Sequence, residues 1–424
     1  MIRSLLLATL LFSSTTAIAQ DLAITHATAW PLDGHGRVVD ATVIVKGGRI
    51  VSVIASGAVP QGLSIIDASG RTVTPGLMNS ATQLGLVETG QANETNDQSN
   101  SLSTLGAAFD IQYALNANSV LLPVARADGL TRAVSFPGSS GSAPFMGQGA
   151  VIKLPESGSI LDRAEAAMYV QIGSATLGSA GGSRSSQWLL LRNALTEARA
   201  YKPGKMAAPR DQLLNHLDAE ALQPVLSGQM PLVIVTQRES DIRQAIALAT
   251  DDHIRVIIMG GDEAWRCADA LAAAKIPVLL DPMDNLPISF DQLGATLNNA
   301  TLLAKAGVEL GFYASGNTIY LSYDAGLDMR EVAGLAVAHG LPYETALEAM
   351  TRNPAEIFGI GDHYGRLVAG MDADIVIWDG DPLEPSNAPW KVFVQGHDAS
   401  LGTRQTELRD RYAKPDSLPP VYKK

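Results

Sequence analysis

Between Thr74 and Gly361 the chain alternates short, nearly continuous apolar runs with amphipathic stretches of helical length, and few architectures accept that pattern. Strands are predicted at Leu77–Gln83, Leu130–Phe136, Ala150–Leu154, Met168–Ile172, Leu232–Thr236, Arg255–Met259, Pro277–Leu280 and Glu309–Ala314. Runs such as VIIM and VLL have no polar alternation, so these strands expect cover on both faces, as in a parallel sheet. Helices are predicted between them, for example over Gln187–Ala200, Glu239–Thr250 and Met329–Ala338. The pattern fits an α/β chain whose residues 74–361 form a TIM (β/α)8 barrel, with a doubly wound open sheet as the alternative.

Residues 22–73 read differently, as several short strands with the turn Lys46-Gly47-Gly48-Arg49 and no intervening helix. Strand and turn chemistry returns in GRLVAGMDADIVIWDGDP, Gly365–Pro382. Strands at both ends need a common partner, so residues 20–73 and 362–400 are expected to form one small composite β-sandwich domain into which the barrel is inserted. Residues 401–424 are expected as a charged tail. Arg3, the apolar run Leu5–Phe12 and Ala17-Ile18-Ala19 occur in the order of a secretory signal, so residues 1–19 are expected to be removed and the mature chain to be periplasmic or secreted.

A net charge of -12 argues against nucleic acid or an anionic membrane as partner. The single cysteine, Cys267, allows no internal disulfide and falls in a helical run, where a small buried hydrophobe is expected. Gly138–Gly149 and Gly173–Ser186 are rich in Gly and Ser but lack the Gly-Lys-Ser/Thr of a phosphate cradle, so they read as rim loops, with Arg184 available to an anionic group. No Gly-x-Ser-x-Gly occurs, which leaves a serine hydrolase without its nucleophile turn.

TPGLMNSATQLGL (Thr74–Leu86), ETALEAMTRNPAEIFGI (Glu344–Ile360) and GRLVAGMDADIVIWDGDPL (Gly365–Leu383) together resemble the amidohydrolase superfamily, in particular its imidazolonepropionase-like and prolidase-like exported members. The resemblance covers nearly the whole mature chain and implies a barrel with a composite β domain. It also implies hydrolysis of a C–N bond with one or two divalent metals. Such sites use His-x-His after strand 1, Lys or Glu after strand 4, His after strands 5 and 6, and Asp after strand 8. Imidazole and carboxylate hold the cation, which lowers the pKa of bound water towards neutrality.

Transferred position by position, those ligands are missing. Ala81 and Gln83 occupy the His-x-His places, Gln171-Ile172-Gly173 closes strand 4, Val235 or Thr236 stands at strand 5, Gly260 or Gly261 at strand 6, and Gly316 or Asn317 at strand 8. The seven histidines, His26, His35, His216, His253, His339, His363 and His397, fall in the β region, at helix ends or at the wrong end of the barrel. Carboxylates alone can hold hard cations, and Glu88, Glu94, Asp97, Asp262, Glu263, Asp281 and Asp284 lie near predicted strand ends. A divalent metal is thus implied by the resemblance only.

Two functions follow. The first is an exported hydrolase of a C–N bond in a small, peptide-like or non-peptide substrate, with a degenerate metal site lined by Asn79, Gln83, Gln237, Arg238, Asp262, Asp281, Ser315 and Asn317; its general base is not identified. The second is a non-catalytic, ligand-binding or scaffolding barrel that partners an active homologue. A homo-oligomer is compatible with either.

Overall fold

The computed structural model describes residues 20–89, 92–138, 140, 143–202, 213–284, 286–314 and 323–413. Two eight-stranded sheets organise them. The first gathers β1 (Leu22–Ala29), β2 (Val38–Lys46), β3 (Arg49–Ala55), β4 (Ser64–Asp67) and β5 (Thr72–Pro75) from the start of the described chain. Beyond the barrel strands β6 to β13, it takes β14 (Ile375–Trp378), β15 (Pro389–Val394) and β16 (His397–Ala399). The order is β16-β15-β14-β5-β1-β2-β3, with β4 also paired to β1. One half of β1 pairs with β4 and the other half with β5, and one apolar core collects Leu22, Val43, Val73, Ile375 and Phe393 from both chain ends.

The second sheet is the barrel: β6 (Leu77–Thr82), β7 (Leu130–Ser135), β8 (Phe145–Lys153), β9 (Leu161–Gln171), β10 (Leu232–Thr236), β11 (Val256–Gly260), β12 (Val278–Leu280) and β13 (Leu310–Phe312). It runs in sequence order from β6 to β13. It is nearly closed, because a Cβ built on Gly311 of β13 would stand 2.7 Å from Ser80 Oγ of β6. All eight predicted strands are present.

The all-parallel expectation needs correcting. β8 is antiparallel to both β7 and β9, while the remaining pairs are parallel. The connections 136–144 and 154–160 are too short for the crossover that parallel neighbours require, so the chain turns back as a hairpin twice. The Gly/Ser stretch read as a rim loop therefore ends inside β8. Gly147 has φ +124° and a Cβ there would lie 2.4 Å from Phe109 O; at Gly149 it would lie 2.6 Å from the Tyr169 ring. Glycine is what lets β8 pass between these groups.

The two sheets are joined at Thr74–Leu77. β5 pairs with β14, and Trp378 Nε1 donates to Thr74 Oγ1 at 2.9 Å. Inside this junction lies Arg132 of β7, wholly buried, with Nε 2.9 Å from Asp162, Nη1 2.9 Å from Asp374 and Nη2 3.3 Å from Asp372. The guanidinium also stacks 4.9 Å from the centre of the Tyr364 ring. One barrel cation is thus shared by a barrel carboxylate and two from the turn that leads into β14.

Candidate active site

Period-two alternation sorts each barrel strand into a face towards the helices and a face towards the lumen. Leu232 and Ile234 of β10 join the helix-side core, whereas Val233 and Val235 face inward. The inward set continues through Met78, Ala81, Val134, Phe136, Met146, Tyr169, Met259, Leu279 and Tyr313. Phe136 and Tyr169 stack with ring centroids 5.3 Å apart. The lumen is therefore a packed core, and its upper layer is aromatic and thioether-rich.

Ala81 is fully buried in this layer, Val235 packs against it, and Gly260 ends β11 with φ +94°. A Cβ at Gly260 would meet the Gln237 amide at 2.3 Å, so Gln237 lies across the strand-6 position. Asn79 is committed to backbone: Nδ2 donates to Ala325 O at 3.0 Å, and Oδ1 accepts from Ala81 N at 3.1 Å. Gln83 is buried directly after β6. Arg238 is exposed ahead of the helix Glu239–Asp252. Ser315 and Asn317 lie outside the described residues.

Among the described residues no group of three or more His, Cys, Asp or Glu side chains is arranged to hold a metal ion. The described side chains at the mouth are carboxamides, phenols and carboxylates with no histidine among them, a set that does not fit the zinc-type centre implied by the resemblance. His216 opens a helix, and His253 caps the helix before β11 at the amino end of the barrel, away from this mouth.

What the mouth does assemble is carboxylates. Asp262, two residues beyond the end of β11, is 3% exposed. Its backbone N–H donates to Gln237 Oε1 at 3.4 Å, and its Oδ2 is buried with no hydrogen-bond partner. Burial, reinforced by the charges of Asp284, Asp281 and Glu263, pushes its carboxyl up to about 7, against the opposing hydrogen bond from Gln292. Asp281, after β12, accepts from Met283 N at 2.8 Å. Burial, reinforced by the charges of Asp284, Asp281 and Asp262, raises the Tyr313 phenol just beyond β13.

Two of the other acidic candidates, Glu263 and Glu88, have structural work. Glu263 accepts from Glu239 N at 3.0 Å and Gly294 N at 2.8 Å, Glu88 accepts from Val120 N at 2.9 Å, and Glu94 and Asp97 are exposed. Arg184 is not free for an anionic ligand. Its Nε donates to Asp241 at 3.0 Å and its Nη2 pairs with Asp291. Asp291 in turn accepts from Ser174 N at 2.7 Å, and Trp188 Nε1 donates to Asp241 at 3.2 Å. This network ties the loop after β9 to the loop after β12. Asp241 thus pairs with Arg184. Cys267 packs in the helix-side core, where burial raises its thiol to about 11.

The aromatic upper layer was missed from sequence, although the alternation Ala167, Tyr169, Gln171 placed those side chains on one face. Residues 239–398 match the amidohydrolase family model. The chain is 27% identical to the imidazolonepropionase of Brucella anthropi, across 86% of this chain and 94% of that one. It is 24% identical to amidohydrolase tasK of Hapsidospora irregularis across 89% of this chain, a match that spans 42% of the longer relative. Among solved structures, an amidohydrolase from Thermotoga maritima MSB8 superposes with TM-score 0.78 at 24% identity, covering 89% of this chain and 99% of that one.

Proposed function

The chain belongs to the amidohydrolase superfamily, and from that premise we propose that it hydrolyses a C–N bond of a small substrate at the carboxyl end of the barrel, with carboxylates in place of a metal. The observation that carries this reading is Asp262: buried two residues beyond β11, with Oδ2 unpartnered and its carboxyl pushed up to about 7. A group with that affinity takes a proton from water as the water oxygen bonds to the amide carbon. It then returns the proton to the departing amine as the C–N bond breaks. The inherited ligand positions Ala81, Gln83, Val235 and Gly260 take no part as ligands; Asn317 completes the set by sequence. The same reading places the mature chain, from Gln20, outside the cytoplasm, which the amino-terminal residue of the exported protein tests.

The experiment is elemental analysis of protein purified without chelators, with an arylamide panel assayed with and without added Mn²⁺ or Zn²⁺. Turnover without stoichiometric metal, reduced about 10²- to 10³-fold in Asp262→Asn, is expected. Stoichiometric transition metal whose removal abolishes turnover overturns the reading.

A second reading, a non-catalytic barrel that partners an active homologue, is supported by Ala81 and Gly260, which offer no side-chain donor at two of the implied ligand positions. It also draws on the length of the tasK relative, more than half of which lies outside the match. Metal-independent ligand binding with no turnover on any amide selects this reading.

A further inference from the structure

At the opposite, amino-terminal face of the barrel, a cavity of about 450 Å³ opens between the starts of β10 to β13 and the ends of the helices that precede them. Its volume lies within the range of small-molecule sites. The floor is apolar, with Ile254 and Ile276 both buried. Four charged side chains line it: Arg255, Lys275, Glu309 and Glu356.

The charges are unevenly paired, and Arg255, Lys275 and Glu309 are exposed at the cavity's edge. Glu356 is held by Arg352 at 3.1 Å. Among the described residues neither Arg255 nor Lys275 is in an ion pair; Arg255 makes one long contact, 3.4 Å, to Ile357 O. Glu309, which is exposed, also has no cationic partner within ion-pair distance among the described residues, Arg352 being the cation nearest in its field. Lys275 adds a further sign. It ends the helix Ala268–Ala274 at φ +53°, a position where glycine carries less strain.

We propose that this cavity is a second ligand site, distinct from the barrel mouth, that binds a small zwitterion of the amino-acid class. Arg255 and Lys275 take the carboxylate, Glu309 takes the ammonium, and the isoleucine floor takes an apolar side chain. Charge-assisted contacts on both ends of one small molecule require the ligand to carry both charges at once.

The test is calorimetric titration of the full chain with leucine, leucinamide, 4-methylpentanoate and inorganic phosphate. Leucine is expected to bind at one site, with the singly charged analogues and phosphate at least tenfold weaker. Lys275→Gly is expected to weaken leucine at least tenfold while the melting temperature holds or rises, because glycine suits the left-handed backbone. Glu309→Gln is expected to remove the preference for leucine over 4-methylpentanoate. No binding at millimolar leucine, equal binding of phosphate, or unchanged affinity in Lys275→Gly overturns the proposal. Since the readout is binding away from the mouth, its failure leaves the hydrolase reading standing.

Discussion

An aspartate that is 3% exposed and whose Oδ2 meets no donor is expensive to ionise, and proteins reduce that cost by keeping the proton on. Asp262 therefore exchanges its proton near neutrality, where the other two mouth aspartates, Asp281 and Asp284, supply the field that raises it. If Asp262 is the base, kcat/KM for an arylamide rises with pH up to about 7 and then levels. In Asp262→Asn that limb disappears along with most of the rate, and a pH profile of both proteins checks it. Replacing Asp281 by Asn removes one of the raising charges, so the limb is expected to move to lower pH; an unmoved limb would assign the titration elsewhere.

At the scale of elements, strand positions were readable because a barrel strand is a short apolar run whichever way it points. Direction is not written in that signal. β8 appears in the sequence as an apolar run, Ala150–Leu154, preceded by Gly-rich residues, and only the shortness of the connections 136–144 and 154–160 distinguishes a hairpin from a crossover. In the candidate site, the strand-end places of Ala81, Val235 and Gly260 were legible, because they are counted along the apolar runs of β6, β10 and β11. Its chemistry was not, since the raised carboxyl of Asp262 depends on burial and on residues from neighbouring strands. Arg184 shows the same limit: its partners Asp241 and Asp291 are far away in sequence and meet only because two loops fold together. The hairpin itself makes a prediction. Gly149→Ala puts a methyl 2.6 Å from the Tyr169 ring and 2.9 Å from Ser135 O, so the β7–β8–β9 packing must shift. A loss of about 1–3 kcal/mol is expected, measured by urea denaturation; a neutral result would mean that the Tyr169 layer yields freely.

For the whole molecule, the question is what holds a barrel onto a sheet assembled from both ends of the chain, and Arg132 supplies one answer. One buried cation faces three carboxylates, so the guanidinium stays charged. Burial, with Asp372 and Asp162 beside it, raises Asp374 to about 6 despite the pull of Arg132. Arg132→Met leaves those carboxylates without their cation and is expected to cost about 3–5 kcal/mol, as broken buried pairs do, seen as a lower urea midpoint. Asp374 also belongs to a larger set: Asp128 and Asp328 are raised to about 6 and Asp262 to about 7, burial being the first cause in each. A carboxyl whose folded pKa lies above its unfolded value, 3.8 for Asp, stabilises the fold fully below the unfolded value. That contribution is lost as pH rises through the folded value. Each such proton contributes a slope of up to about 1.4 kcal/mol per pH unit inside that window. The carboxylates shifted the other way, Asp40, Asp67, Asp291 and Asp362, are exposed apart from Asp291, and solvent screens the exposed ones. Stability is therefore expected to fall between about pH 4 and about pH 7, with self-repulsion of a chain of net charge -12 acting in the same direction. Urea midpoints across that range check the fall, and Asp262→Asn is expected to flatten its upper part, because the amide has no proton to lose. A midpoint that instead climbs steadily towards pH 8 would show that these aspartates are ionised in the native state.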